Sequence, residues 1–400
     1  MEAASIDDGM ARGEGPSRNR VSRRLILYVH GFDPRGPGIV HALQREDAVR
    51  ESARPDRTLT VGPRRRQSNA SAWSVEAVWP EGQVANTFVA LRWDDLVRSR
   101  WDRTLTGQAR GLMRWVSAYL RTGAMEALVG ASRTMAIGAL ALPVVVAAFL
   151  LAGLIVTVAV GFGLAAVAAA FGLPPWLGLA APGLLLLLPD LWRRLDAKVN
   201  LCWLGRGHLH MVELSQGAIP SLDARIDAFA DRLLHEAKSG DWDEILIIGH
   251  SSGSIHAADL TGRALQRDPT LGRVGPGVAL ITLGHCMPGY SMVGPTPVYA
   301  AALAALAEAR QIRWLDITAA ADPGAGGAWS PLRHSPYDEA RVERRSPRFH
   351  KALSPEAFRA LKADPMAYHF QYMRACDDPA VYDWTRLAFG PDAFSRAGAR

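Results

Sequence analysis

Glu244-Ile-Leu-Ile-Ile-Gly-His-Ser-Ser-Gly-Ser254 is the stretch on which the fold turns. Ile245, Leu246, Ile247 and Ile248 form a continuous apolar run, as expected for a strand covered on both faces inside a parallel sheet. The run ends in Gly249-His-Ser-Ser-Gly253, which fits G-x-S-x-G, a sharp turn with a serine at its tip. Ser254 to Arg267 then reads as helix, so the motif has the strand–turn–helix setting it requires. Glycines flank the serine because the neighbouring backbones leave no room for a Cβ. Ser251 is the candidate nucleophile.

Other strands extend outward from this one. Leu25-Ile-Leu-Tyr-Val-His30-Gly31-Phe32 is an early strand running into a Gly/Pro loop. Gly31 lets the backbone turn so that the Phe32 amide can stabilise a developing oxyanion beside the serine. Residues 72–79 and 87–93 read as strands joined at Pro80-Glu-Gly82, a hairpin at one sheet edge. Trp93-Asp94-Asp95 reads as a strand end and helix cap. Leu222 to Ala237, capped by Ser221, is a helix that delivers the chain to the elbow strand. Gly277–Leu283 and Ile312–Ile317 are further strands, with a helix at Ala301–Ala309 between them. The alternation predicts a largely parallel sheet.

A serine hydroxyl needs a base, and the base needs an orienting acid. After an elbow serine the expected order is acid, then histidine. Asp316 lies within a strand and Asp322 in the loop past its end; carboxyl ends of strands are where active groups gather, which favours Asp322. His334, His350 and His369 follow. His369 sits in the apolar-framed Tyr368-His-Phe-Gln-Tyr-Met373 and is preferred; His350 is flanked by charge and His334 lies in a Ser/Pro-rich loop. His208 and His210 are spaced for one strand face, but no third metal ligand is near, so no metal or cofactor is expected.

Between the early strand and the elbow, Thr134 to Pro189 contains no charged residue. A membrane-spanning helix needs about 20 apolar residues, so the tract has room for two. Gly172-Leu-Pro-Pro175 breaks it, which predicts one helix within 137–170 and a shorter one within 176–192, a re-entrant pair remaining open. Arg133 precedes the tract, and Arg193, Arg194 and Lys198 follow it, placing both ends on the cytoplasmic side. An even number of crossings is also required if the strands ending at Val29 and Ile248 are to share a sheet. Just before it, residues 107–121 form an amphipathic pattern suited to a membrane interface.

Tyr28-Val-His-Gly-Phe32, Gly249-His-Ser-Ser-Gly253, Ala321-Asp-Pro323 and His369-Phe-Gln-Tyr372 together resemble the α/β-hydrolase superfamily, closest to membrane-embedded bacterial members of lipase or esterase type. The resemblance covers residues 24–390 apart from the apolar insert. It implies an α/β fold with a mostly parallel sheet, helices on both faces and an inserted transmembrane hairpin. It also implies Ser251 as nucleophile, His369 as base and Asp322 as acid, with the Phe32 and Ser252 amides as oxyanion donors. The expected organisation is a basic arm (1–24), one α/β domain in two parts (25–133 and 193–400) and the hairpin (134–192). The expected activity is hydrolysis of an ester or thioester, with a lipid as one candidate substrate, at the inner face of a bacterial cytoplasmic membrane. A silent scaffold and an acyltransferase are the alternatives.

Composition agrees with this reading. Hydrophobic residues make up 49% of the 400, enough for a core and an apolar insert. The net charge is +6, but the arginines are scattered, which argues against nucleic acid as a partner and leaves membrane lipid and an acyl substrate. Cys202, Cys286 and Cys376 have neither disulfide nor zinc spacing. Once the insert and arm are set aside, about 320 residues remain, within reach of one large α/β domain.

Overall fold

The computed structural model describes residues 20–131, 133–199, 202–327 and 329–396. Among the described residues nine strands form one sheet: β1 (Arg23–Val29), β2 (Thr58–Val61), β3 (Arg65–Arg66), β4 (Ala70–Trp79), β5 (Gly82–Leu91), β6 (Glu244–His250), β7 (Gly277–Leu283), β8 (Arg313–Ile317) and β9 (Glu343–Arg345). Their spatial order is β2-β4-β5-β1-β6-β7-β8-β9, with β3 beside β4. From β5 to β9 every neighbour is parallel, while the pairings of β4 with β2, β3 and β5 are antiparallel, so β4 runs against the other strands. The chain is thus an α/β protein with a mostly parallel mixed sheet. The β4–β5 hairpin is not the sheet edge the sequence suggested, because β2 pairs outside it.

Strand geometry separates the core into two layers, since successive side chains point to opposite faces. Leu25, Leu27, Ile245 and Ile247 pack on one side, and Ile26, Tyr28, Leu246 and Ile248 on the other. Between β1 and β2 lies α1 (Gly38–Ser52), on the second face. After β5 come α2 (Asp94–Ser99), α3 (Leu105–Thr122), α4 (Ala124–Ala131) and α5 (Arg133–Ala170). The chain then continues through a 3-10 segment, Pro175–Leu187, into α6 (Leu188–Val199), α7 (Cys202–Ser215) and α8 (Pro220–Lys238). Following β6 are α9 (Gly253–Arg267), α10 (Met287–Met292) and α11 (Pro297–Glu308). Helix α8 begins with Pro220 in its first turn, not with a Ser221 cap, since Ile219 holds the cap position.

The apolar tract forms two candidate membrane-spanning helices, Pro143–Ala170 and Pro175–Lys198. The second leg looks short in sequence. Its first 13 residues are wound as a 3-10 helix, however, and at about 2 Å per residue they extend about 26 Å. The legs touch closely: a Cβ on Gly178 would lie 2.4 Å from the Gly161 carbonyl oxygen. Phe162, Phe171, Leu179 and Leu186 point outward, each at least 75% exposed, a surface that water does not favour.

Residues 1–19 of the expected basic arm lie outside the described residues. The remainder of that arm belongs to the fold. The Val21 N–H donates to the Pro391 carbonyl, and the Arg24 guanidinium is fully buried against Glu244 at 2.8 Å and the carbonyls of Ala388, Gly390 and Asp392. A buried charge persists only when its donors are satisfied, and here each nitrogen has a partner.

Candidate active site

Because β1, β6 and β8 run parallel, the loops after them meet at one end of the sheet. Ser251 follows β6 with φ 57°, a left-handed conformation that costs a non-glycine residue about 1–3 kcal/mol. The turn is held by the Ser251 N–H donating to the Leu283 carbonyl at 2.9 Å and by Ser254 N–H donating to the Ser251 carbonyl at 3.0 Å. Its glycines are there for close approach. A Cβ on Gly253 would fall 2.2 Å from the Val29 carbonyl oxygen, and one on Gly249 would fall 2.5 Å from the Ser254 Cα. Gly31 meets the elbow itself: a Cβ there would stand 2.9 Å from that of Ser251.

Opposite the elbow, the His369 ring hydrogen-bonds through Nδ1 to Asp322 Oδ2 at 2.8 Å. Asp322 is fully buried and accepts two further bonds, from the Tyr372 hydroxyl at 2.9 Å and the Gly324 N–H at 2.9 Å. Burial alone would raise its pKa. The His369 charge, followed by the hydrogen bonds from His369, Gly324 and Tyr372, brings it below the ordinary carboxylate value. Tyr372 stays a neutral donor, its own pKa raised well above 10 by burial and by Asp322. Ser251, His369, His30, Phe32, Trp203 and Phe370 line one cavity of about 30 Å³.

Phe32 lines this cavity, but its amide is engaged, donating to Ser252 Oγ at 2.8 Å. Among the described residues, the Ser252 N–H has no backbone acceptor. Behind the loop, the Phe32 ring stacks on His210 at 4.7 Å and on Trp101 at 5.7 Å. His30 stacks on Trp93, whose indole N–H donates to the His30 carbonyl at 2.9 Å.

The other candidates are placed elsewhere. Asp316 accepts from Thr282 and Thr318 and lies 3.5 Å from His285, away from His369. His334 packs on Trp329 and His350 on Phe358, both exposed. His208 and His210 are on helix α7, not on a strand. One faces Tyr119 and the other Phe32, and burial lowers both pKa values, that of His208 to about 4. Among the described residues no three His, Cys, Asp or Glu side chains converge as a metal site. Asp94 and Asp95 open helix α2 and pair with arginines.

His250 has a role the sequence reading did not assign. Its Nε2 bonds the His369 carbonyl at 2.8 Å and its ring lies 4.7 Å from the His369 ring. Burial first, then the His369 charge, lowers its pKa to about 3, so it is neutral and donates. The signal available was its position beside the nucleophile inside G-x-S-x-G. Arg35 and Trp203 were also not singled out: the Arg35 guanidinium, paired with Asp33, stacks over Trp203 at 5.0 Å and Phe370 at 5.6 Å beside the cavity.

No family model, curated protein or solved structure matches this chain.

Proposed function

We propose that this protein is a serine hydrolase of α/β-hydrolase type, carried on a membrane by an inserted helical hairpin and acting on an ester or thioester. The observation that carries the reading is the buried Asp322–His369 pair at 2.8 Å lining the same cavity as a serine held at φ 57°. In this scheme Ser251 Oγ attacks the acyl carbonyl and His369 takes its proton. Asp322 holds the ring and stabilises the imidazolium. The carbonyl oxygen becomes an oxyanion facing the Ser252 and Phe32 amides, the latter released when the Ser252 hydroxyl turns aside. The C–O or C–S bond breaks, and the alcohol or thiol leaves with the proton from His369. Water then attacks the acyl-enzyme, with His369 again as base, yielding the acid and free Ser251.

The two candidate membrane-spanning helices support a location at a bilayer, and the arginines flanking them support a cytoplasmic site. A fluorophosphonate probe tests the chemistry: the wild type is expected to be labelled and Ser251→Ala to remain unlabelled. Equal labelling of both removes the proposal.

A further inference from the structure

A second cavity, of about 270 Å³, lies among α7, α8, α9 and the segment joining α10 to α11. It shares no lining residue with the cavity of about 30 Å³ beside Ser251. Leu214, Ile219, Ile226 and Val298 give it apolar walls. One further wall is a face of α9, on which His256, Asp259 and Arg263 recur at i, i+3 and i+7.

Helix α9 is buried from Gly253 to Leu265, where a polar side chain needs a partner. His256 is 2% exposed and has none among the described residues. Its Nε2 is sealed from solvent, so Nδ1 is the nitrogen left open to the cavity that the ring lines. Burial lowers its pKa to about 3, and a neutral imidazole can accept a hydrogen bond at one nitrogen.

The charge around this histidine is negative. Arg263 is bound through Nε and Nη2 to Asp259 at 2.8 and 3.1 Å, through Nη2 to Asp223, and through Nη1 to Asp227 at 3.2 Å. Asp227 and Asp231 share Arg267. The cluster thus holds four carboxylates, Asp223, Asp227, Asp231 and Asp259, against two guanidinium groups. All three nitrogens of Arg263 are engaged, which leaves an anion no donor there. A cation meets both the surplus charge and the open imidazole nitrogen.

We infer that this cavity is a binding site for a small primary ammonium ion with a short hydrocarbon body. The carboxylates around Arg263 supply the counter-charge, His256 accepts one ammonium N–H, and the hydrocarbon lies against Leu214, Ile219, Ile226 and Val298. The site is independent of the chemistry at Ser251.

The test is isothermal titration of the full chain in lipid nanodiscs with pentylammonium, the heat from empty nanodiscs being subtracted. Wild type is expected to show saturable binding at one site, with a Kd below about 1 mM for a ligand of this size. Pentanoate and pentanol, of the same chain length, are expected to bind about tenfold more weakly or not at all. Asp223→Asn and His256→Phe are each expected to weaken pentylammonium about tenfold. Val298→Trp, at a half-exposed position on the wall, fills the cavity and is expected to abolish binding while the urea midpoint stays at the wild-type value. Absence of saturable binding to wild type overturns the site. Pentanoate or pentanol binding as tightly as pentylammonium overturns the assignment of an ammonium ligand, on wild type alone. Undiminished binding to a folded Val298→Trp variant places the ligand elsewhere and overturns the inference.

Discussion

Replacing Tyr372 by Phe removes one oxygen from the fully buried acid and leaves the ring in place. That oxygen donates to Asp322 Oδ2 at 2.9 Å and accepts from the Ala319 N–H at 3.0 Å. A hydrogen bond to a charged group contributes about 1.5–3 kcal/mol, and an orphaned buried N–H costs a similar amount. The two losses share one atom and do not simply add, so the expected destabilisation at pH 7 is about 2–3 kcal/mol. The pH dependence has a definite sign. Burial raises the Asp322 pKa, but its partners hold it below the ordinary value, so its ionised form stabilises the fold. That contribution is complete above the unfolded pKa of about 3.9 and is lost as pH falls through the folded value. Without Tyr372 the folded pKa moves up, so the gap between variant and wild type is widest near neutrality and narrows in acid. Urea unfolding in detergent micelles, followed by tryptophan fluorescence from pH 7 to pH 3.5, measures this. A loss below about 0.5 kcal/mol at pH 7, or a gap that widens on acidification, refutes the reasoning.

Four further outcomes follow from the same geometry. Ser252→Ala frees the Phe32 amide from its 2.8 Å bond and is expected to raise the acylation rate about fivefold, as the release of about 1 kcal/mol allows; a tenfold fall shows instead that the hydroxyl assists. Gly253→Ala forces a Cβ to within 2.2 Å of the Val29 carbonyl oxygen, and a loss of about 3 kcal/mol or more is expected in the same unfolding assay, with a change under 1 kcal/mol counting against the packing. Ser251→Gly is expected to be about 1 kcal/mol more stable than Ser251→Ala, because only glycine adopts φ 57° without strain; equal midpoints contradict this. Burial lowers the pKa of His250 and His256 to about 3. Each is expected to stabilise the fold fully above about pH 6.5 and to lose up to about 1.4 kcal/mol per pH unit below it; a flat profile from pH 7 to pH 5 rules that out.

Strand β6 and its turn were readable in sequence because a strand buried on both faces leaves an uninterrupted apolar run, and the glycines on either side signal close backbone approach. The Asp322–His369 pairing could be narrowed down by the rule that active groups collect past strand ends, which set Asp322 above Asp316. Other features left no local trace. Strands β2, β3 and β9 are only 4, 2 and 3 residues long, too short for any periodicity to show. His208 and His210 alternate like a strand pair, yet they belong to a helix in which Trp115 and Phe32 cover them from different sides. The part played by His250 depends on a carbonyl 119 residues away, and the edge-on contact of Trp101 with Trp203 joins the two ends of the apolar excursion. Contacts of that span are set by tertiary packing, not by spacing.

The pairing of β1 with β6 joins residues 220 apart, with the two apolar helices emerging between them. At a synthesis rate of about 5–20 residues per second, β1 waits about 10–45 s for its central partner. During that interval its second edge, carrying Leu25, Ile26, Leu27, Tyr28 and Val29, is open to pairing with other chains. The carbonyls that complete the Arg24 site, at residues 388 to 392, arrive later still. The growing chain therefore carries two unsatisfied apolar surfaces at once, one on a half-built sheet and one on the hairpin. On the proposed reading the hairpin enters a bilayer as it emerges, and the time taken by that insertion sets how long the open edge of β1 diffuses freely. A slower insertion is expected to lower the yield of folded protein without changing the stability of the finished sheet.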